Sequence, residues 1–367
     1  MTRKLPEVAI AYDFDGTLSP GNMQEYDFIP KLGMTPARFW NKANELARQC
    51  DGDLILAYLN LMLNEARARG VPIRRDDFVA YGRKVTLFPG VQTWFDRINA
   101  YGRQQGLAVR HYIVSSGLRE MVQGSPIASQ FARVFASAFA YDVHGVAYAP
   151  ALALNYTTKT QYLFRINKGT LDVWDNRVIN AYQPQAQRPV PFSRMIFLGD
   201  GETDVPCMRL VKDQGGHSLA VYRKGARGAK AVAGQLLQEG RVNGMAVADY
   251  SAQSLIDQQV KAVLDRMAAE ITARLADANP LVYAVMNGGL IFSGKLLPKL
   301  NFPLELSYLH ATRYRGQTSG SGLAWLGHGG KSSTNGGKPW LDGQGAPLAI
   351  HDDVADVFAE LRAGLPA

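Results

Sequence analysis

The sequence predicts an α/β protein built on a doubly wound, Rossmann-like parallel sheet, with a helical cap inserted into it and a small α/β fragment after it. Three observations carry that prediction. Short apolar segments alternate with helical ones from residue 8 to residue 274, the order that buries a parallel sheet between two layers of helices. Two of the apolar segments stop abruptly in carboxylates, Asp13 and Asp15 in one, Asp200 and Asp204 in the other. Three helical stretches separate the first strand from the second, where a doubly wound sheet ordinarily uses one crossover.

Composition bounds the rest. The 367 residues are 47% hydrophobic and 20% charged, ordinary globular material for about two or three domains. No apolar run approaches the roughly 18 residues of a membrane span. Residues 1–7 lead straight into a strand, so no signal peptide is expected. Two cysteines far apart, Cys50 and Cys207, make no disulfide framework and no Cys-based zinc site, and a cytoplasmic setting is expected. The formal charge of +8 would suit an anionic ligand. Lys and Arg are spread over the helical stretches, however, and no nucleic-acid motif is present. The basic surface therefore reads as solvated, and no nucleic-acid or membrane partner is expected. Six dispersed histidines read as structural.

In chain order, Val8-Ala9-Ile10-Ala11-Tyr12 is a buried strand, and Gly16 turns the chain away from it. Thr35 and Pro36 read as N-cap and first position of a helix over 37–49. Asp53 starts a second helix that Gly70 ends, and Asp76 starts a third that ends near Lys84. Residues 20–88 thus form the cap, with Glu25 and Tyr26 placed to reach a ligand. Phe88-Pro89-Gly90 turns into a helix over 91–105. A strand over 108–115 ends in Ser115-Ser116-Gly117, and residues 142–145 read as a hairpin turn. Thr157 or Thr158 caps a helix running to Lys168-Gly169. A strand over 195–198 follows, then a helix ended by Gly215-Gly216, strands at 219–222 and 245–248, and a closing helix over 255–274. The first domain is expected to end at 275.

Two acids fixed beyond a strand's carboxyl end suit a hard divalent cation that would carry a phosphate's charge. Asp-x-Asp alone equally describes a strand followed by an Asx-turn. The longer string Asp13-x-Asp15-Gly16-Thr17-Leu18 resembles the first motif of the haloacid dehalogenase-like hydrolase superfamily. Its partners follow in order. Ser115 closes a strand. Lys159 sits in a helix's first turn, where a cation opposes the helix dipole and so points to a local anion. Lys168, its rival, stands near that helix's C-terminus, where a lysine is conventional. Gly199-Asp200 through Asp204 then follows a further apolar strand. Four carboxylates on strand ends repel one another without a metal, which points to Mg²⁺.

The resemblance covers about residues 7–270. It implies Asp13 as nucleophile forming an aspartyl-phosphate, and Asp15 as general acid and then base. It implies Ser115 and Lys159 stabilising the phosphoryl group, with Ser116 and Gly117 binding substrate. Mg²⁺ would be held by Asp13, the backbone carbonyl of Asp15 and Asp200, with Asp204 binding it or orienting its waters. A proton donor at Asp15 favours phosphoryl chemistry over dehalogenation, so the implied activity is hydrolysis of a small phosphorylated metabolite. Substrate and oligomeric state stay open.

From Leu281 the text changes. A strand, Gly288-Gly289 and a helix start, then a strand over 304–310, resemble the first half of a purine (hypoxanthine-type) phosphoribosyltransferase over about 280–326, within a fragment expected to span 276–326. Residues 327–367 are a Gly-rich loop and a terminal helix. Asp352-Asp353 offers two acids there, but no Thr-Gly phosphate loop follows. The expectation is a truncated module. The alternatives are that it binds a purine or phosphoribosyl ligand and regulates or localises the hydrolase, or, less favoured because the Thr-Gly loop is missing, that the chain is a bifunctional enzyme with two active sites.

Overall fold

In a computed structural model that describes residues 5–277, 281–286, 305–312 and 324–327, the first strand lies at the centre of the sheet and is buried on both faces. The seven strands are β1 (Glu7–Tyr12), β2 (Ala108–Leu118), β3 (Phe131–Tyr141), β4 (Ala147–Leu152), β5 (Met195–Gly199), β6 (His217–Tyr222) and β7 (Gly244–Val247). Their order is β4-β3-β2-β1-β5-β6-β7. All neighbours are parallel except β3 and β4, which form an antiparallel hairpin.

Period-2 alternation along β1 sorts its side chains between two cores. Val8, Ile10 and Tyr12 pack with Trp94, Phe95 and Ile98 of α5 (Val91–Gln104) and with Val260 and Leu264 of α11 (Leu255–Asp277). Ala9 and Ala11 face the other way. There the core comes from Leu163 and Ile166 of α7 (Lys159–Lys168), Met208 and Val211 of α9 (Val205–Asp213), and Ala233 and Leu236 of α10 (Ala229–Gln238). Each large apolar side chain so buried stabilises the unit by roughly 1.5–3 kcal/mol. The parallel sheet with helices on both faces is as the sequence predicted.

The cap is α1 (Phe28–Lys31), α2 (Pro36–Gln49), α3 (Leu54–Arg69) and α4 (Arg75–Gly82). Thr35 Oγ1 accepts from Arg38 N–H at 3.3 Å, and Asp53 Oδ1 from Leu56 N–H at 2.9 Å. Gly70 ends α3 in the left-handed region, which a glycine adopts without a Cβ penalty. α4 starts at Arg75, one residue before Asp76, because Asp77 accepts from Arg74 N–H and closes that end.

Several elements differ from expectation. β2 does not end at Ser115; it runs on to Leu118 with a register break after Ser115. The hairpin turn expected at 142–145 joins β3 to β4. The extent of β3 is not marked by its own sequence, because Ala, Ser and Arg interrupt its apolar run and pairing with β2 and β4 makes it a strand. α1, α6 (Arg119–Gly124), α8 (Asn176–Asn180) and α10 went unread. Thr158, one of the two expected residues, is the N-cap of α7, but it makes no side-chain capping bond there. Asn155 closes that end in an Asx-turn, its Oδ1 accepting from the N–H groups of Thr157 and Thr158 at 3.1 and 2.9 Å.

The chain divides into two units, Met1–Ile271 and Thr272–Ala367. In the second, β8 (Leu281–Met286), β9 (Glu305–Thr312) and β10 (Ala324–Gly327) form a sheet in the order β10-β9-β8. β8 is parallel to β9, and β9 is antiparallel to β10. Gly288-Gly289, Asp352-Asp353 and the expected terminal helix lie outside the described residues. Among the described residues no helix is long and apolar enough to cross a membrane.

Candidate active site

The strand order reverses on either side of β1, so the crevice beyond its carboxyl end is the switch point where open α/β sheets bind ligands. β1, β2 and β5 deliver Asp13, Ser115 and Asp200 there. A cavity of about 300 Å³ opens at this point, and Asp13, Asp15, Ser115, Ser116, Gly117 and Asp200 all line it. The cap contributes Asn22, Gln24, Trp40, Leu54, Ile55 and Tyr58. An open depression of about 630 Å³ between α3 and the β3–β4 hairpin, lined by Arg67, Arg74, Asp142 and Tyr148, contains none of the candidate residues.

Close backbone approach at two glycines lets the acids converge. Gly16 has φ +77°, and a Cβ there would lie 1.9 Å from Asp200 Oδ2. At Gly117 a Cβ would meet Met23 Cε at 2.4 Å and Asp15 Oδ2 at 2.9 Å. Asp15 is fixed from the other side by the Met23 N–H, which donates to its Oδ1 at 2.9 Å.

Lys159 is fully buried in the first turn of α7. Its Nζ donates to Asp204 Oδ1 at 2.7 Å and lies 3.2 Å from Asp13 Oδ1. It also reaches Thr203 Oγ1 at 3.4 Å. Lys168 goes elsewhere, donating to the carbonyls of Ile179 and Ala181. Asp204 is fully buried, and both its oxygens are engaged: Oδ1 by Lys159, Oδ2 by the Asp200 N–H at 3.2 Å.

Burial and neighbouring carboxylates dominate the titration of Asp15, Asp200 and Asp204. Burial, with Asp13 beside it, holds the Asp15 carboxyl well above the usual carboxylate range. Asp200 is pushed up by burial and by Asp204 and Asp13. Asp204 is pushed up by burial and by Asp13, against the pull of Lys159. For Lys159 burial works against the charge, but Asp13 and Asp204 outweigh it and hold the ammonium firmly protonated.

The donor set fits a hard divalent cation. Carboxylate oxygens of Asp13, Asp200 and Asp204 lie within 4.8 Å of one another. Asp13 Oδ1 is buried with no hydrogen-bond donor; the Lys159 contact lacks hydrogen-bond geometry. All-oxygen acidic donors of this kind suit Mg²⁺. The Asp15 carboxylate stands outside the cluster.

Ser115 is buried and accepts from the Gly117 N–H at 3.1 Å. The Ser116 carbonyl takes hydrogen bonds from Tyr58 and Ser137, while its hydroxyl has no partner. Glu25 and Tyr26 are not in the lining. Glu25 accepts from Trp40 Nε1–H and Asn22 Nδ2–H, and the Tyr26 hydroxyl pairs with Ser19. The residue between Met23 and Glu25, Gln24, takes the place expected of them. Gln24, Trp40 and Tyr58 carried no local signal, because only docking of the cap brings them to the strand ends.

Residues 10–209 match the haloacid dehalogenase-like hydrolase family. The chain belongs to that family. It is an enzyme of the hydrolase class the family defines. An uncharacterized protein of Borreliella burgdorferi is 28% identical over 272 residues, 66% of this chain and 92% of the relative. A haloacid dehalogenase family hydrolase from Salmonella enterica serovar Typhi is similar at 16% identity and TM-score 0.45, covering 71% of this chain and 72% of its own. A substrate-bound phosphoserine phosphatase is similar at 12% identity and TM-score 0.45, covering 70% and 99%.

Proposed function

We propose that the first unit is a Mg²⁺-dependent phosphatase of small phosphomonoesters that works through an aspartyl-phosphate on Asp13. The observation that carries this reading is Asp13 Oδ1, a buried carboxylate oxygen without a donor, beside Lys159 and facing two further acids. Such an atom is costly to leave unsatisfied, and it suits a group that meets both a cation and a phosphoryl centre.

Asp13 attacks phosphorus through a carboxylate oxygen, and the ester P–O bond breaks. Asp15, whose burial favours the protonated form, gives its proton to the departing alkoxide. A water then attacks phosphorus, and the Asp15 carboxylate takes its proton. The bond between Asp13 and phosphorus breaks, which releases inorganic phosphate and restores Asp13. Lys159 sets a fixed positive charge beside Asp13, where charge builds on the transferring group. Asp204 holds Lys159 and the Asp200 backbone in place. Ser115 orients the Gly117 N–H, and Ser116 offers a free hydroxyl, at the lip where phosphate oxygens would sit. Asp13, Asp200 and the backbone carbonyl of Asp15 would hold the metal. When bound, Mg²⁺ lets these carboxylates coexist and draws charge from the phosphoryl oxygens.

The test is hydrolysis of 4-nitrophenyl phosphate with Mg²⁺ and again with EDTA, in the parent and in Asp13→Asn. Turnover that needs Mg²⁺ and vanishes in a well-folded Asp13→Asn protein is expected. Near-parental turnover by Asp13→Asn would sink the mechanism.

A second reading concerns the second unit: a phosphoribosyltransferase-like binding module without turnover. It is supported by the parallel pairing of β8 and β9, because two parallel strands need a crossover between them, as a strand, Gly-Gly loop and helix would supply. Formation of a nucleotide from phosphoribosyl pyrophosphate and hypoxanthine, in an Asp13→Asn background, would overturn the non-catalytic part.

A further inference from the structure

The cap side of the cavity carries no positive charge. Among the described residues its lining holds Asp13, Asp15 and Asp200 and no Lys, Arg or His. Lys159 is absent from that lining and committed to Asp13 and Asp204. Arg223 is exposed, donates to the Pro20 carbonyl and stands outside the lining. A leaving group with its own carboxylate or phosphate would be desolvated beside Asp15 with no counter-charge, an unfavourable burial.

What the cap does offer is aromatic and accepting. Trp40 and Tyr58 stand edge to face at 5.6 Å. Trp40 spends its only donor on Glu25, and Tyr58 spends its hydroxyl proton on the Ser116 carbonyl. Both therefore present ring surface. Gln24 is 1% exposed, lines the cavity, and its Oε1 has no hydrogen-bond partner. It sits next to Met23, whose N–H holds Asp15, the proton donor to the departing oxygen. An unpartnered acceptor and two aromatic rings, with no cationic side chain in the lining to compete, together select a protonated amine. At about 300 Å³ the cavity is at the small end for ligand sites.

Resting on the phosphatase reading, we propose that the substrate is the phosphomonoester of a small amino alcohol, with Gln24 as a specificity-determining residue that accepts from its ammonium group. The experiment compares kcat/KM for phosphoethanolamine, glycerol 1-phosphate and phosphoserine in the parent enzyme with Mg²⁺, with 4-nitrophenyl phosphate as reference. Phosphoserine adds only a carboxylate to phosphoethanolamine, and it should be worse by about ten-fold or more. Glycerol 1-phosphate, which lacks the cation, should fall between them. In Gln24→Leu the ratio of phosphoethanolamine to 4-nitrophenyl phosphate kcat/KM should drop by about ten-fold. An equal or higher kcat/KM for phosphoserine or glycerol 1-phosphate, with 4-nitrophenyl phosphate still cleaved, would overturn this inference alone. Loss of 4-nitrophenyl phosphate turnover in the parent would take down the phosphatase reading, and this inference with it. An unchanged ratio in an active Gln24→Leu enzyme would remove Gln24 from the assignment.

Discussion

Replacing Lys159 with Met keeps the length of the side chain and removes its charge. Both Lys159 and Asp204 are fully buried, 2.7 Å apart, with Asp13 at 3.2 Å on the other side. Breaking a buried pair by removing one partner costs about 3–5 kcal/mol. In a unit of this size each kcal/mol moves the melting temperature by roughly 2–4 °C. Lys159→Met should therefore melt about 6–20 °C below the parent by circular dichroism, and its turnover should fall on the order of 10²–10³-fold or more. The loss comes mostly from the orphaned Asp204 charge. Adding Asp204→Asn removes that charge, so the double variant should recover much of the stability and none of the activity. Lys168→Ala is the control. It loses hydrogen bonds to Ile179 and Ala181, worth about 1 kcal/mol each, and should turn over near the parental rate. A double variant no more stable than Lys159→Met would refute the account of the pair. An inactive Lys168→Ala beside an active Lys159→Met would refute the choice of lysine.

Three further outcomes follow from the same geometry. Asp15, Asp200 and Asp204 all have carboxyls held above their ordinary value, chiefly by burial. The folded state then keeps protons that the unfolded chain releases above about pH 4, so stability falls as pH rises from there. EDTA-treated protein should melt lower at pH 7 than at pH 5, and added Mg²⁺ should offset the difference; a flat or rising profile in EDTA counts against these shifts. The raised Lys159 keeps its charge across that window and adds no slope. Gly16→Ala should abolish turnover and destabilise the fold, since φ is +77° and the new Cβ would lie 1.9 Å from Asp200 Oδ2; parental activity would show that Asp200 can move freely. Ser115→Ala removes the acceptor that orients the Gly117 N–H and should lower kcat on the order of 10²–10³-fold with little change in melting temperature; an unchanged kcat would place that N–H away from the phosphoryl group.

The parts legible in the sequence are those where chemistry and local backbone coincide. Asp13, Asp15, Asp200 and Asp204 were readable because each follows a buried strand within a few residues, and a strand end fixes where the next side chain goes. Thr35, Asp53 and Gly70 were readable because a cap acts within one helical turn. Lys159 stood out because its charge contradicts the helix dipole, and the buried acids on either side resolve that contradiction. Strand β3 is legible only at its end, from the hairpin turn at 142–145, because the rest of its identity comes from β2 and β4 rather than from its own composition. The cap's share of the site failed for the same reason at longer range. Tyr58 meets Ser116 across 58 residues of chain, and Trp40 reaches Glu25 only once α2 is docked. Sequence position just past the first motif points to Glu25, yet its carboxylate is spent on Trp40 and Asn22 and stays out of the cavity. The neutral neighbour, Gln24, has no such partner for its Oε1 and lines the cavity instead. In a loop packed under a cap, the residue free to meet substrate is the one whose polar group the fold has not already satisfied, and that is settled by docking rather than by residue type.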